Sequence, residues 1–92
     1  MIVGFRHKGL KRLFEKDDPS GIRPGLRDKV RTVLAQLNEA RTIEDMRMTS
    51  FHLHRLQGDM KDLWSVTVRA NWRIVFRFTD GDATDVELID YH

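Results

Sequence analysis

The stretch Trp64-Ser65-Val66-Thr67-Val68-Arg69-Ala70-Asn71-Trp72-Arg73-Ile74-Val75-Phe76-Arg77-Phe78-Thr79-Asp80-Gly81 decides the fold. Successive side chains of a strand point to opposite faces, so Trp72, Ile74, Phe76 and Phe78 share one face, with Arg73 and Arg77 across from them. Trp64 to Arg69 alternates in the same way. Ala70-Asn71 and Asp80-Gly81 cut the pattern into strands. The second pair is a strong hairpin signal, because both central residues of a type I′ turn need positive φ. Ala83 to Tyr91 supplies the next strand of this meander. Upstream, Phe51-His52-Leu53-His54-Arg55-Leu56 also alternates and predicts a strand with Leu53 facing away from His52 and His54.

The N-terminal half follows a different period. Leu10, Leu13 and Phe14 recur at helical spacing within a short basic segment, His7 to Lys16, whose outward face takes Lys8, Lys11 and Arg12. Asp17 to Gly25 holds both prolines of the chain with two glycines and a serine, which ends the helix and predicts a mobile loop. From Leu26, the residues Leu26, Val30, Val33, Leu34 and Leu37 repeat at intervals of three and four. That is a helix with one buried stripe, while Arg23, Arg27 and Arg31 recur on another side. Ile43 and Met46 predict a short turn in the connection that follows, and Ile2, Val3 and Phe5 suit an edge strand. Helices followed by a meander argue an α+β fold in which the helices cover one face of a small, mainly antiparallel sheet and leave the other free. The free face should carry Arg73, with the histidines at its edge.

Ninety-two residues allow one small domain, 1–92. The absence of cysteine removes disulfides, thiolate nucleophiles and Cys-ligated zinc together. No window is apolar over a membrane-spanning length, so the expectation is an unprocessed cytoplasmic protein with no membrane partner. The formal net charge is +2 and the pI about 9.3, but the charge is unevenly spread. Residues 1–16 hold five Lys/Arg against Glu15, whereas 79–92 hold Asp80, Asp82, Asp85, Glu87 and Asp90 and no Lys or Arg. A basic body of this kind suits contact with phosphates over a broad face.

Four histidines are available for chemistry. His7 opens a basic helix and His52 adjoins Phe51, settings that favour surface or packing roles. His54 and His92 each close a strand-like segment. No His-x-x-x-His or carboxylate-rich spacing suggests a metal, and no cofactor motif is present: Gly21 and Gly25 flank a loop without a P-loop lysine or a dinucleotide fingerprint. Ser20, Ser50 and Ser65 lack the strained elbow of a nucleophile. The remaining set is His54, His92, Asp90, Tyr91, Arg69 and Arg73. It suits RNA cleavage without metal, in which a base takes the ribose 2′-hydroxyl proton, an acid protonates the departing 5′-oxygen, and guanidinium groups stabilise the phosphate charge. An ordinary Asp, with a pKa of about 3.9, accepts a proton less readily at neutral pH than an imidazole at about 6.5.

The segments His54-Arg55-Leu56-Gln57-Gly58-Asp59, Trp64 to Phe76 and Asp90-Tyr91-His92, with the opening Phe5-Arg6-His7-Lys8-Gly9-Leu10-Lys11, resemble the HigB toxins of bacterial toxin–antitoxin modules. The resemblance spans nearly the whole chain and implies a RelE/ParE-like fold. It implies a ribosome-dependent messenger-RNA endonuclease that cuts in the decoding site, with the 70S ribosome and mRNA as partners. A helix-turn-helix antitoxin of the HigA type is implied too, through which alone the toxin would meet operator DNA. Carried over by residue, His92 is the general acid, His54 or Asp90 the base, Arg73 and Arg69 hold the scissile phosphate, and Tyr91 orients the nucleotide. Lys8, Lys11, Arg12 and Arg23 fall on the surface that meets small-subunit ribosomal RNA. Gln57 stands where some relatives are basic, and Met60 and Asp62 replace an Arg and a Gly often found there. The alternative from another class is a non-enzymatic scaffold, either a ParE-like poison of DNA gyrase or an inert binding module.

Overall fold

The computed structural model describes residues 1–58 and 62–90. Two helices, α1 (Lys8–Lys16) and α2 (Arg27–Glu39), precede four antiparallel strands in the order β1 (His54–Arg55), β2 (Trp64–Arg69), β3 (Trp72–Thr79) and β4 (Asp82–Asp90). Short 3₁₀ turns at Pro24–Leu26, Ile43–Met46 and Thr49–Phe51 make the connections. The Ile43–Met46 turn is the one that Ile43 and Met46 predicted.

The α2 stripe of Val30, Val33, Leu34 and Leu37 is buried with Leu10 and Leu13 of α1 against Val66, Ile74, Phe76, Val86 and Leu88 of the sheet. Between β3 and β4, Asp80 and Gly81 take φ of 53° and 83°, the pair of positive values a type I′ turn requires. A bulge follows in β4, where Asp85 also takes a positive φ and its carboxylate reaches Arg77 at 3.1 Å.

Three elements depart from the sequence reading. The alternation over Phe51–Leu56 yields a strand of two residues only, because Phe51 closes a 3₁₀ turn and His52 takes a left-handed conformation, φ 47° and ψ 50°. The Asp17–Gly25 segment is tied down: Ile22 is buried, and Gly21 packs so closely on Gly9 that a Cβ on either would stand 2.7 Å from the other's backbone. The far sheet face is not bare either. Ser65 and Val75 lie on it and are each 1% exposed, flanked in their row and along the strand by His54, Glu87, Arg73 and Arg77. The apolar N-terminus pairs in parallel with β4 through Ile2–Ala83 and Phe5–Val86 bridges, so it does lie at the sheet edge.

Candidate active site

His54 enters the sheet opposite Ser65 of β2, which lies opposite Val75 of β3. Alternation along β3 therefore puts Arg73, two residues from Val75, on the same face as His54. The imidazole is exposed, and its Nδ1 lies 3.1 Å from the carbonyl oxygen of His52. That carbonyl is aimed by the left-handed residue that ends the Thr49–Phe51 turn.

Arg73 is half-buried, and its Nη1 donates to the carbonyls of Ala70 (2.6 Å) and Trp72 (3.2 Å), which fixes the guanidinium over the β2–β3 turn. Among the described residues no partner engages its Nη2 or Nε. A guanidinium has five donors, so this arrangement leaves an edge for a phosphate.

Arg69 and Asp90 stand further off. Both lie opposite Trp72, one on each neighbouring strand, at the end of the sheet. The Arg69 side chain runs towards the loop before α2, where a Cβ on Gly25 would sit 3.5 Å from its Nη1. It is thereby grouped with Arg23, whose guanidinium covers the Trp72 indole at 5.3 Å from the ring centroid. Helix α1 packs against β4, at the opposite edge of the sheet from β1, so exposed Lys8, Lys11 and Arg12 are not brought to His54. Tyr91 and His92 lie outside the described residues.

His7 has a structural task that its sequence position left unread. Its Nδ1 accepts a hydrogen bond from the Leu10 N–H at 3.1 Å and caps α1. Burial holds its pKa below the ordinary value; Glu87 opposes this and Arg12 adds to it. Trp72, read from the sequence as a core-facing residue, packs against the core and also carries the Arg23 guanidinium on its ring. The available signal for this second role was a Trp beside a tight turn with arginines on both sides, Arg69 and Arg73. Among the described residues no group of three or more His, Asp or Glu is placed to hold a metal ion. Among the described residues no helix is long and apolar enough to cross a membrane.

The architecture is similar to that of YafQ from E. coli strain BL21(DE3), with a TM-score of 0.64 at 16% identity over 96% of this chain and 89% of that one. A single-residue mutant of YafQ from E. coli aligns with a TM-score of 0.60 over the same shares. The class of the chain, that of the RelE-like toxins, is given by its sequence match to a family model. A family model described as "RelE-like toxin of type II toxin-antitoxin system HigB" matches residues 3–92, and the chain belongs to that family. Endoribonuclease HigB of Proteus vulgaris is 45% identical over 92 residues, the full length of both chains. As a type II toxin, the protein has an antitoxin as partner.

Proposed function

We propose that this chain is a ribosome-dependent messenger-RNA endonuclease that cuts in the decoding site of the 70S ribosome and so inhibits translation. Membership of the HigB-like family and the name of the P. vulgaris relative, an endoribonuclease, support the nuclease reading. The observation that carries the chemistry is the contact between His54 and the His52 carbonyl. A carbonyl oxygen only accepts, so Nδ1 keeps its hydrogen and the neutral ring presents a lone pair at Nε2.

His54 Nε2 takes the proton of a ribose 2′-hydroxyl, and the 2′-oxygen bonds to the adjacent phosphorus. The 5′-oxygen leaves with a proton supplied by His92. The products are a 2′,3′-cyclic phosphate and a free 5′-hydroxyl. Arg73 stabilises the charge that builds on the phosphate and Tyr91 orients the nucleotide, while Arg69, grouped with Arg23 by Trp72, contacts RNA phosphate away from the cut. Asp90 competes with His54 for the base role, but its place opposite Trp72 puts it on the other side of the pleat from Arg73. This scheme needs no metal. Acid/base assistance is worth only about 10²–10⁴-fold, so the ribosome has to align the message. Lys8, Lys11, Arg12 and Arg23 provide the ribosomal RNA contacts. The antitoxin is of the HigA helix-turn-helix type and carries the only link to operator DNA. The toxin works in the cytoplasm, where its substrate is.

Purified protein should cut messages on programmed ribosomes at sites mapped by their 5′ ends, and hardly touch naked RNA. Efficient metal-dependent cleavage of protein-free RNA would overturn the mechanism. A DNA-damage response on induction, without arrest of protein synthesis, would point instead to a gyrase poison.

A further inference from the structure

Between the loop before α2 and the β2–β3 turn lies a cleft of about 500 Å³. Pro24, Leu26 and the Trp72 indole give it apolar walls, while Arg23 and Arg69 supply two guanidinium groups. Among the described residues neither arginine forms an ion pair, and neither side chain makes a hydrogen bond. Two guanidinium groups lining one cleft favour an anionic ligand there. Arg23 rests on the indole by a cation–π contact, an interaction weak enough at an exposed site to be exchanged. Gly25 leaves the backbone uncovered beneath Arg69. The volume lies within the range of about 300–1,000 Å³ usual for small-molecule sites. Trp72 and Arg73 project from opposite faces of β3, so this cleft lies across the sheet from His54.

We propose that the cleft is a single-nucleotide subsite. An unpaired nucleobase stacks on Trp72 in the place Arg23 now occupies, and Arg23 and Arg69 hold its flanking phosphates. A flat aromatic surface with guanidinium groups at its margin is the chemistry that binds single-stranded nucleic acid without reading its sequence. An anion alone would have no use for the apolar walls, and an apolar ligand none for the two arginines. The ligand class rests on the endoribonuclease reading; the nucleotide belongs either to the message or to ribosomal RNA.

The Trp64→Phe variant leaves Trp72 as the only tryptophan, so its fluorescence reports on the cleft. Titration with adenosine 5′-monophosphate should quench it saturably, adenosine should bind more weakly, and inorganic phosphate alone should not quench. In that background Arg69→Ala and Gly25→Leu should each weaken binding about tenfold, as loss of a charge-assisted contact or of a stacked base implies. Gly25→Ala should bind normally, since its Cβ would stand at an ordinary contact distance, and melting curves establish that the Leu variant is folded. Absence of saturable quenching, or undiminished affinity in Arg69→Ala and Gly25→Leu, overturns the proposal. The Trp72→Leu change then separates the sources: weaker association with vacant ribosomes assigns the nucleotide to ribosomal RNA, and weaker association only with programmed ones assigns it to the message. No loss with either overturns the subsite. Parent protein that binds no ribosomes at all defeats the ribosomal reading of function while the nucleotide titration stands.

Discussion

The Nδ1 of His54 faces the backbone carbonyl oxygen of His52 at 3.1 Å, and His52 holds a left-handed φ of 47° to aim it. One turn of backbone thus sets the tautomer of the proposed base. Replacing His54 with Asn should lower cleavage on programmed ribosomes by about 10²–10⁴-fold, the worth of one acid/base group. Changing His52 tests positioning. Gly adopts positive φ freely and keeps the carbonyl, so His52→Gly should retain activity. His52→Val pays the steric penalty of a β-branched residue there and should lose activity and shift the pH–rate profile. Nitrogen chemical shifts of His54 should report the Nδ1–H tautomer in the parent and a tautomer mixture in the Val variant. Equal activity and equal shifts in all three would show that the carbonyl contact is incidental.

The His7 cap gives a pH dependence with a definite sign. Nδ1 must be unprotonated to accept from Leu10, and burial lowers the pKa of the folded state. The unfolded chain therefore binds the proton more readily. The contribution is complete above the unfolded value of about 6.5 and is lost as pH falls through the lower folded value. Melting temperature should decline over that acid interval in the parent, and less in His7→Asn, which caps without titrating there. At pH 8, His7→Ala should cost about 1 kcal/mol in urea unfolding.

The β2–β3–β4 meander was legible in the sequence because its signals are local: period-two alternation, and a turn whose Asp80-Gly81 pair supplies two positive φ values. The α2 stripe was legible for the same reason. Alternation misled over Phe51–Leu56, where a 3₁₀ turn that buries Phe51 and a left-handed, exposed His52 give the same alternating pattern ahead of buried Leu53. Of the candidate site, the common face of His54 and Arg73 follows from register once the strands are paired. The grouping of Arg23 with Arg69 and Trp72 does not, since it depends on where the loop before α2 lands. Likewise, nothing local marks Ile2 as a neighbour of Ala83.

The α1 contact with the Asp17–Gly25 segment predicts intolerance at two glycines. A Cβ on Gly9 would stand 2.7 Å from the Gly21 carbonyl oxygen, and one on Gly21 would stand 2.7 Å from the Gly9 Cα. These neighbours are backbone and cannot swing away. Gly9→Ala and Gly21→Ala should each destabilise by about 1–3 kcal/mol, the usual cost of overpacking. Gly4→Ala, whose nearest contact would be 4.0 Å, should change little. Urea unfolding midpoints compare all three.

Lys8, Lys11 and Arg12 are exposed on α1, away from His54, so binding and chemistry should separate. Their combined replacement by Ala should weaken ribosome association and flatten its salt dependence, because each lost phosphate contact reduces counterion release. Single-turnover cleavage in preformed complexes should survive. An unchanged salt slope would make this helix face a solvated surface and nothing more.

The proposed general acid, His92, gives the sharpest separation of folding from chemistry. Gln can hydrogen-bond where His does but cannot transfer a proton to the departing 5′-oxygen, so His92→Gln should retain folding and antitoxin binding and lose about 10²–10⁴-fold in cleavage. The loss should be smaller on a message whose 5′-oxygen at the cut site is replaced by sulfur, because a thiolate leaves without protonation. His54→Asn should be impaired on both messages, since the 2′-hydroxyl still has to lose its proton. Equal impairment of His92→Gln on the two messages would remove His92 from the acid role and leave it a positioning residue.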